Sequence, residues 1–206
     1  MADNGGFWRS LRIVFGLVSV LWIVHIIQEL GIFDFSPYAN FPQHKEGLKG
    51  IIFSPFLHGS FEHLISNTLP IMVLLTVLLN AYPRVAIPAL VFIHLTSGLL
   101  VWLFAPPNTL HIGISGIIYG IAAFLVAAGL FRKDRNSLVI GIFVALMYGG
   151  MVVGFLPQPG ISWQSHLFGA LSGVFIAYVF RKIDLPQPTE IELEHVEPDR
   201  HFFDNR

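Results

Sequence analysis

The chain contains no cysteine. That removes disulfides, thiolate metal sites and a cysteine nucleophile together. Charge is scarce too: Asp, Glu, Lys and Arg make up 12% of the 206 residues, against about 25% in soluble domains. Such a deficit excludes most soluble folds. A formal net charge of −1 leaves no basic surface to suggest nucleic acid. No internal repeat of the transporter kind is visible, and no His-Glu-x-x-His pattern supports a metalloprotease.

Apolar residues fill the space, at 54% of the chain. They gather into six stretches, at about 13–32, 59–81, 86–104, 113–131, 138–156 and 164–180, each near the roughly 17–25 residues that cross a bilayer. An all-α polytopic membrane protein with six transmembrane helices is therefore expected. Arg9 and Arg12 precede the first stretch as they would a signal peptide. Its length, its Trp22 and His25, and the absence of a small-residue cleavage pattern read as a retained span.

Basic residues predict the orientation. With a cytoplasmic N-terminus, the inner segments carry Arg9, Arg12, Arg84, Arg132, Lys133, Arg135, Arg181 and Lys182. The outer loops carry only Lys45 and Lys49, so both termini are expected to be cytoplasmic. Three regions follow: an inner segment 1–12, a six-span core 13–181, and an inner tail 182–206. The tail is acidic and holds Pro186, Pro188 and Pro198, a composition that predicts disorder. The aromatic, Pro-bearing outer loop at about 33–57 is expected to lie in the membrane interface.

Within this frame, a Ser and a His stand out. Ser115, in Gly113-Ile114-Ser115-Gly116, and His166, in Ser165-His166-Leu167-Phe168-Gly169, each open a span from the outer side. At about 1.5 Å rise per residue they share a level, and polar groups at bilayer depth are usually functional. A Ser–His hydrogen bond needs close backbones. Glycines offer that approach: Gly113, Gly116 and Gly120 on one helix face, Gly169 and Gly173 on the face of His166. Ordinary helix packing explains the glycines equally well, but not the matched depth.

Tyr119, four residues after Ser115, falls beneath the hydroxyl, where it can buttress an imidazole or simply fill the interior. On the second span His63 and Asn67 share a face, where such groups can steady a developing oxyanion. His58 lies about 140° away around that helix and serves the loop or helix mouth. No carboxylate lies deep in a span, so a Ser–His dyad is expected rather than a triad.

Together, His58…His63…Asn67, Gly113-Ile114-Ser115-Gly116 with Tyr119, and His166 with Gly169 and Gly173 resemble the rhomboid family of intramembrane serine proteases. The resemblance covers about 13–181 and implies a rhomboid-like six-helix bundle. It implies Ser115 as nucleophile, His166 as general base, and His63, Asn67 and the Ser115 amide as the oxyanion site. Tyr119 would stack on His166 in a water-filled cavity open to the outside. Substrates would be single-span membrane proteins, cut near the outer end of their helix. No cofactor, metal or obligate partner subunit is implied. One departure is Lys49-Gly50, where many members carry Trp-Arg.

Gating is expected near the fifth span, where Gly149, Gly150 and Gly154 permit movement, with the Pro157–Gly160 loop as a lid. Two other readings stay open. One is a non-catalytic rhomboid-like protein that binds membrane clients. The other is a transporter or metal-binding protein using His58, His63, His94 and His166. Short loops fit a bacterial cell membrane, with an organelle as the alternative.

Overall fold

The computed structural model describes residues 4–183. The segment 1–3 and the acidic tail from Asp184, on which disorder was expected, lie outside the described residues. Helix α1 runs Asn4–Glu29, α2 Gly50–Phe53, α3 Phe61–Ala81, α4 Ala86–Phe104, α5 Ser115–Phe131, α6 Arg135–Tyr148 and α7 Trp163–Val179. Among the described residues there are no strands, only the isolated bridges Asn40–His111 and Gln158–Ile161. The fold is an all-helical bundle.

Four helices are long and apolar enough to cross a membrane: α1, α3, α4, and α6 together with the 3-10 turns that carry it to Phe155. The remaining two long helices, α5 and α7, have 17 residues each. Such a helix rises about 26 Å, short of a hydrocarbon layer of about 30 Å. Both short helices carry their polar candidates at the N-terminal end, Ser115 as the first residue of α5 and His166 in the first turn of α7. Helix α1 starts nine residues earlier than hydropathy suggests, because regular backbone hydrogen bonding continues through Arg9 and Arg12.

Helix α5 forms the centre. Ile117, Ile118, Ile121, Phe124 and Leu125 are buried, together with Leu64, Ile71, Leu74 and Leu78 of α3 and Ile93 of α4. Outward-facing Phe15, Ile65, Leu146 and Phe175 are exposed, as lipid-facing side chains would be. Lipid is as apolar as leucine, so helix association here rests on close packing instead of on expelling water.

Glycines make that packing possible. A Cβ at Gly169 would strike the Gly116 carbonyl, and one at Gly173 the Gly120 carbonyl. Helices α5 and α7 therefore meet backbone to backbone. At the end of the bundle away from Ser115, Gly129 of α5 faces Gly141 of α6, where an added Cβ would come 2.8 Å from Ser137 O. Arg132 closes this end. It is buried, donates to Asp134 and Ser137 at 3.2 and 3.0 Å, and bonds the Ile183 carbonyl.

The long connection between α1 and α3 is folded onto α4 and the loop after it. Asn40 exchanges backbone hydrogen bonds with His111, and its Nδ2 donates to Gly98 O at 2.8 Å. Trp102 Nε1 donates to His44 O at 2.9 Å. Gly50 sits so tightly on Ala39 and Asn40 that a Cβ would penetrate their backbone. This accounts for Lys49-Gly50: the loop is anchored by backbone contact at Gly50, and Lys49 places its ammonium 4.7 Å from the Tyr38 ring centre.

Candidate active site

Ser115 is the first residue of α5 and His166 the fourth of α7. The close α5–α7 packing brings His166 Nε2 to 2.9 Å from Ser115 Oγ, with both residues buried. The imidazole is held on two further sides. Its Nδ1 lies 2.8 Å from Gly154 O, and its ring stacks on Tyr119, with centroids 4.0 Å apart and planes 4° from parallel. Tyr119 donates its own hydroxyl to Met151 O at 2.7 Å.

These contacts fix the proton inventory. A carbonyl only accepts, so Nδ1 carries the hydrogen toward Gly154. Nε2 is then the free acceptor of the neutral ring, pointed at the serine hydroxyl. Hydropathy offered no carboxylate for this orienting task. A backbone carbonyl performs it instead.

The dyad opens into a cavity of about 1100 Å³ lined by His63, Asn67, Ser115, Tyr119 and His166. Asn67 is 6% exposed, and its Nδ2 has no hydrogen-bond acceptor among the described residues. A buried, unpaired donor is costly. Beside it, Ser115 has no intrahelical acceptor for its backbone N–H, because it opens its helix. The His63 ring completes this wall. Behind it sits His58, fully buried, with ring centroids 5.0 Å apart. Burial first, then the proximity of His63 and His25, pushes His58 down to about 3. It is a neutral support.

Gly113 corrects the sequence expectation. It lies outside α5, so it does not share a helix face with Gly116 and Gly120. Its φ of +102° is in the left-handed region, and a Cβ there would come within 2.7 Å of His63 Cε1. Gly113 makes a turn against His63 while Gly116, Gly169 and Gly173 make the helix contact. The fifth-span glycines also divide. Gly149 and Gly150 face open space, whereas a Cβ on Gly154 would collide with the Tyr119 hydroxyl and approach His166 Nδ1 to 3.0 Å. The expected α-helix there ends at Tyr148 and tightens into 3-10 turns over Gly149–Phe155.

His94 does not line the cavity; its Nε2 is 2.9 Å from Ile52 O. Among the described residues no three His, Asp or Glu side chains converge as metal ligands would.

Comparison with known proteins gives this arrangement a family. Residues 45–183 match the Rhomboid domain. The chain belongs to the rhomboid family. This rhomboid is 37% identical over 171 residues to an uncharacterized protein of Mycobacterium tuberculosis, covering 79% of this chain and 71% of that one. An uncharacterized protein of Mycobacterium leprae is 36% identical over 190 residues, covering 83% and 74%. The Rhomboid-like protein 11, chloroplastic, of Arabidopsis thaliana is 24% identical over 193 residues, covering 87% and 66%. The chain is thus a multi-pass integral membrane protein with an intramembrane-protease-like fold.

Three polar residues that line the rhomboid cavity escaped the sequence reading, Thr109, His111 and Ser162, and they join Ser165 of the His166 motif. They form one hydrogen-bonded chain across the two loops that lead into Ser115 and His166. The only sequence signal was a histidine four residues before the serine and a serine four residues before the histidine. Gly154 gave none, since any residue type has a carbonyl.

Proposed function

We propose that this rhomboid is an intramembrane serine endopeptidase. The observation that carries the reading is the 2.9 Å contact between Ser115 Oγ and a His166 ring whose other nitrogen is already committed to Gly154. Ser115 attacks the scissile carbonyl as Nε2 takes its proton. The same nitrogen returns that proton to the leaving amine. The oxyanion falls toward Asn67 Nδ2, the Ser115 N–H and the His63 ring, donors worth about 3–4 kcal/mol each in acyl transfer. Water then repeats the sequence on the acyl-enzyme.

The substrate class in this reading is a single-span membrane protein cut near the outer end of its helix. A recessed cavity on a lipid-facing bundle supports it. The eight-to-two distribution of basic residues supports cytoplasmic termini and an outward-facing site. A bacterial cell membrane is the setting that fits the short loops.

A fluorophosphonate probe tests the chemistry without choosing a substrate. Detergent-purified wild type is expected to label, and Ser115→Ala and His166→Ala are not. A folded wild type that does not label refutes the protease reading and leaves client binding.

A further inference from the structure

A second His–Ser pair stands one helical turn outside the first. His111 precedes Ser115 by four residues and Ser162 precedes His166 by four. The two pairs run in opposite senses: Ser115 of α5 meets His166 of α7, while His111 before α5 meets Ser162 before α7. His111 Nδ1 lies 2.5 Å from Ser162 Oγ.

The proton order of this chain is determined by its far end. Thr109 gives its single hydroxyl hydrogen to Pro106 O at 2.6 Å. It must therefore accept from His111 Nε2, 2.8 Å away. Nδ1 of His111 is then the acceptor, and Ser162 donates to it. Ser165 Oγ–H donates in turn to Ser162 Oγ at 2.6 Å, and the Ser165 N–H does so at 3.4 Å. Every donor has one acceptor, and the chain has one direction.

That order separates the two serines. Ser162 Oγ accepts twice and donates once, which leaves no lone pair for attack on a carbonyl. Among the described residues Ser115 Oγ meets His166 Nε2 alone. Ser162 also caps α7, whose next residues carry His166. His111 is anchored from the other side by its backbone pairing with Asn40. Ser165, the last link, packs its backbone carbonyl and Cβ against the Gly116 position, 3.0 and 3.4 Å from where a Cβ would stand.

We propose that the His111–Ser162 hydrogen bond is a clasp that sets the height of the α7 N-terminus against α5, and thereby positions His166 on Ser115. Both residues are positioning residues, acting through His166. The role rests on the protease reading for its consequence but not for its geometry.

The test uses the whole chain in bicelles with 15N-labelled histidine, together with the fluorophosphonate labelling rate. His111→Leu and Ser162→Ala each remove one end of the clasp. His111→Asn supplies an amide oxygen where Nδ1 stood, and Ser162→Thr keeps the hydroxyl. Labelling is expected to slow about tenfold in each disrupting variant, with the double variant no slower than the worse single. The two conservative variants should stay within about threefold of wild type on the same reasoning. His111 should read as the Nε2–H tautomer, and the His166 signals should move in Ser162→Ala.

An Nδ1–H tautomer at His111 overturns the clasp. So do additive losses, or a folded Ser162→Ala protein with wild-type rate and unmoved His166 signals. If His111→Leu does not fold, the Ser162→Ala and Ser162→Thr pair decides alone. If wild type never labels, the protease reading fails, while the tautomer and the His166 shift still judge the clasp.

Discussion

The carbonyl of Gly154 takes the place in this site that a carboxylate holds in a triad: it accepts from His166 Nδ1 at 2.8 Å. A neutral acceptor orients the imidazole without adding a charge to a low-dielectric interior, where an ionised carboxylate would be costly. The 3-10 turns over Gly149–Phe155 aim this carbonyl, and Tyr119 ties the same turns down through Met151 O.

Gly154→Ala follows from that relationship. The new methyl would occupy space held by the Tyr119 hydroxyl and press on Nδ1, so the ring must leave its stack or the turn must move. Fluorophosphonate labelling is expected to fall by about two orders of magnitude, the scale reached when a site is misplaced by an ångström. Gly149→Ala and Gly150→Ala, which meet nothing within 4 Å, should label at the wild-type rate. Equal loss in all three would make the segment's flexibility, not the Gly154 contact, the controlling property.

Asn67 separates activity from stability. Its Nδ2 is buried and unpaired in the resting protein. Truncation therefore removes no hydrogen bond from that donor and relieves its desolvation. Asn67→Ala should lower labelling by about a hundredfold, the effect of losing an oxyanion donor, while the melting temperature holds or rises. A large drop in melting temperature would mean that Asn67 serves the fold instead.

Tyr119 contributes in two separable ways. Tyr119→Phe keeps the ring that stacks on His166 but removes the hydrogen bond to Met151 O. One such bond is worth about 1 kcal/mol, so labelling should drop about fivefold. Tyr119→Ala removes the stack as well, and a further loss of about tenfold is expected from an aromatic contact plus the freed ring. Identical rates for Phe and Ala would place the whole effect in the hydroxyl.

The legibility of this fold divides along physical lines. Ser115, His166, His63 and Asn67 could be found in the sequence because polar side chains at helix mouths are conspicuous against apolar spans. Gly116, Gly169 and Gly173 were visible through helical spacing, and spacing is also what misled at Gly113. A +102° φ ends helical periodicity there, and α5 has Ile114 at its N-cap with no capping side chain to mark where it begins. The clasp was hidden for another reason. His111 and Ser162 sit in loops 51 residues apart, and only the close packing of α5 on α7 brings those loops together.

Acid should loosen the protein through His111. This ring lies in the loop before α5, and burial holds it down at about 4 against an ordinary value of 6.5. The unfolded chain gains the proton first as pH falls, and the native chain gains it only near 4. Stability contributed by the neutral ring is therefore intact above about pH 6.5 and is lost progressively down to pH 4, about 3 kcal/mol in all. Protonation would also turn Nδ1 from acceptor to donor, facing a Ser162 hydroxyl that already donates. Melting temperature measured in detergent from pH 7.5 to 4 should fall for wild type, and less steeply for His111→Asn, which has no proton to gain. Parallel slopes in the two proteins would assign the acid sensitivity to another group, with buried His58 the next to substitute.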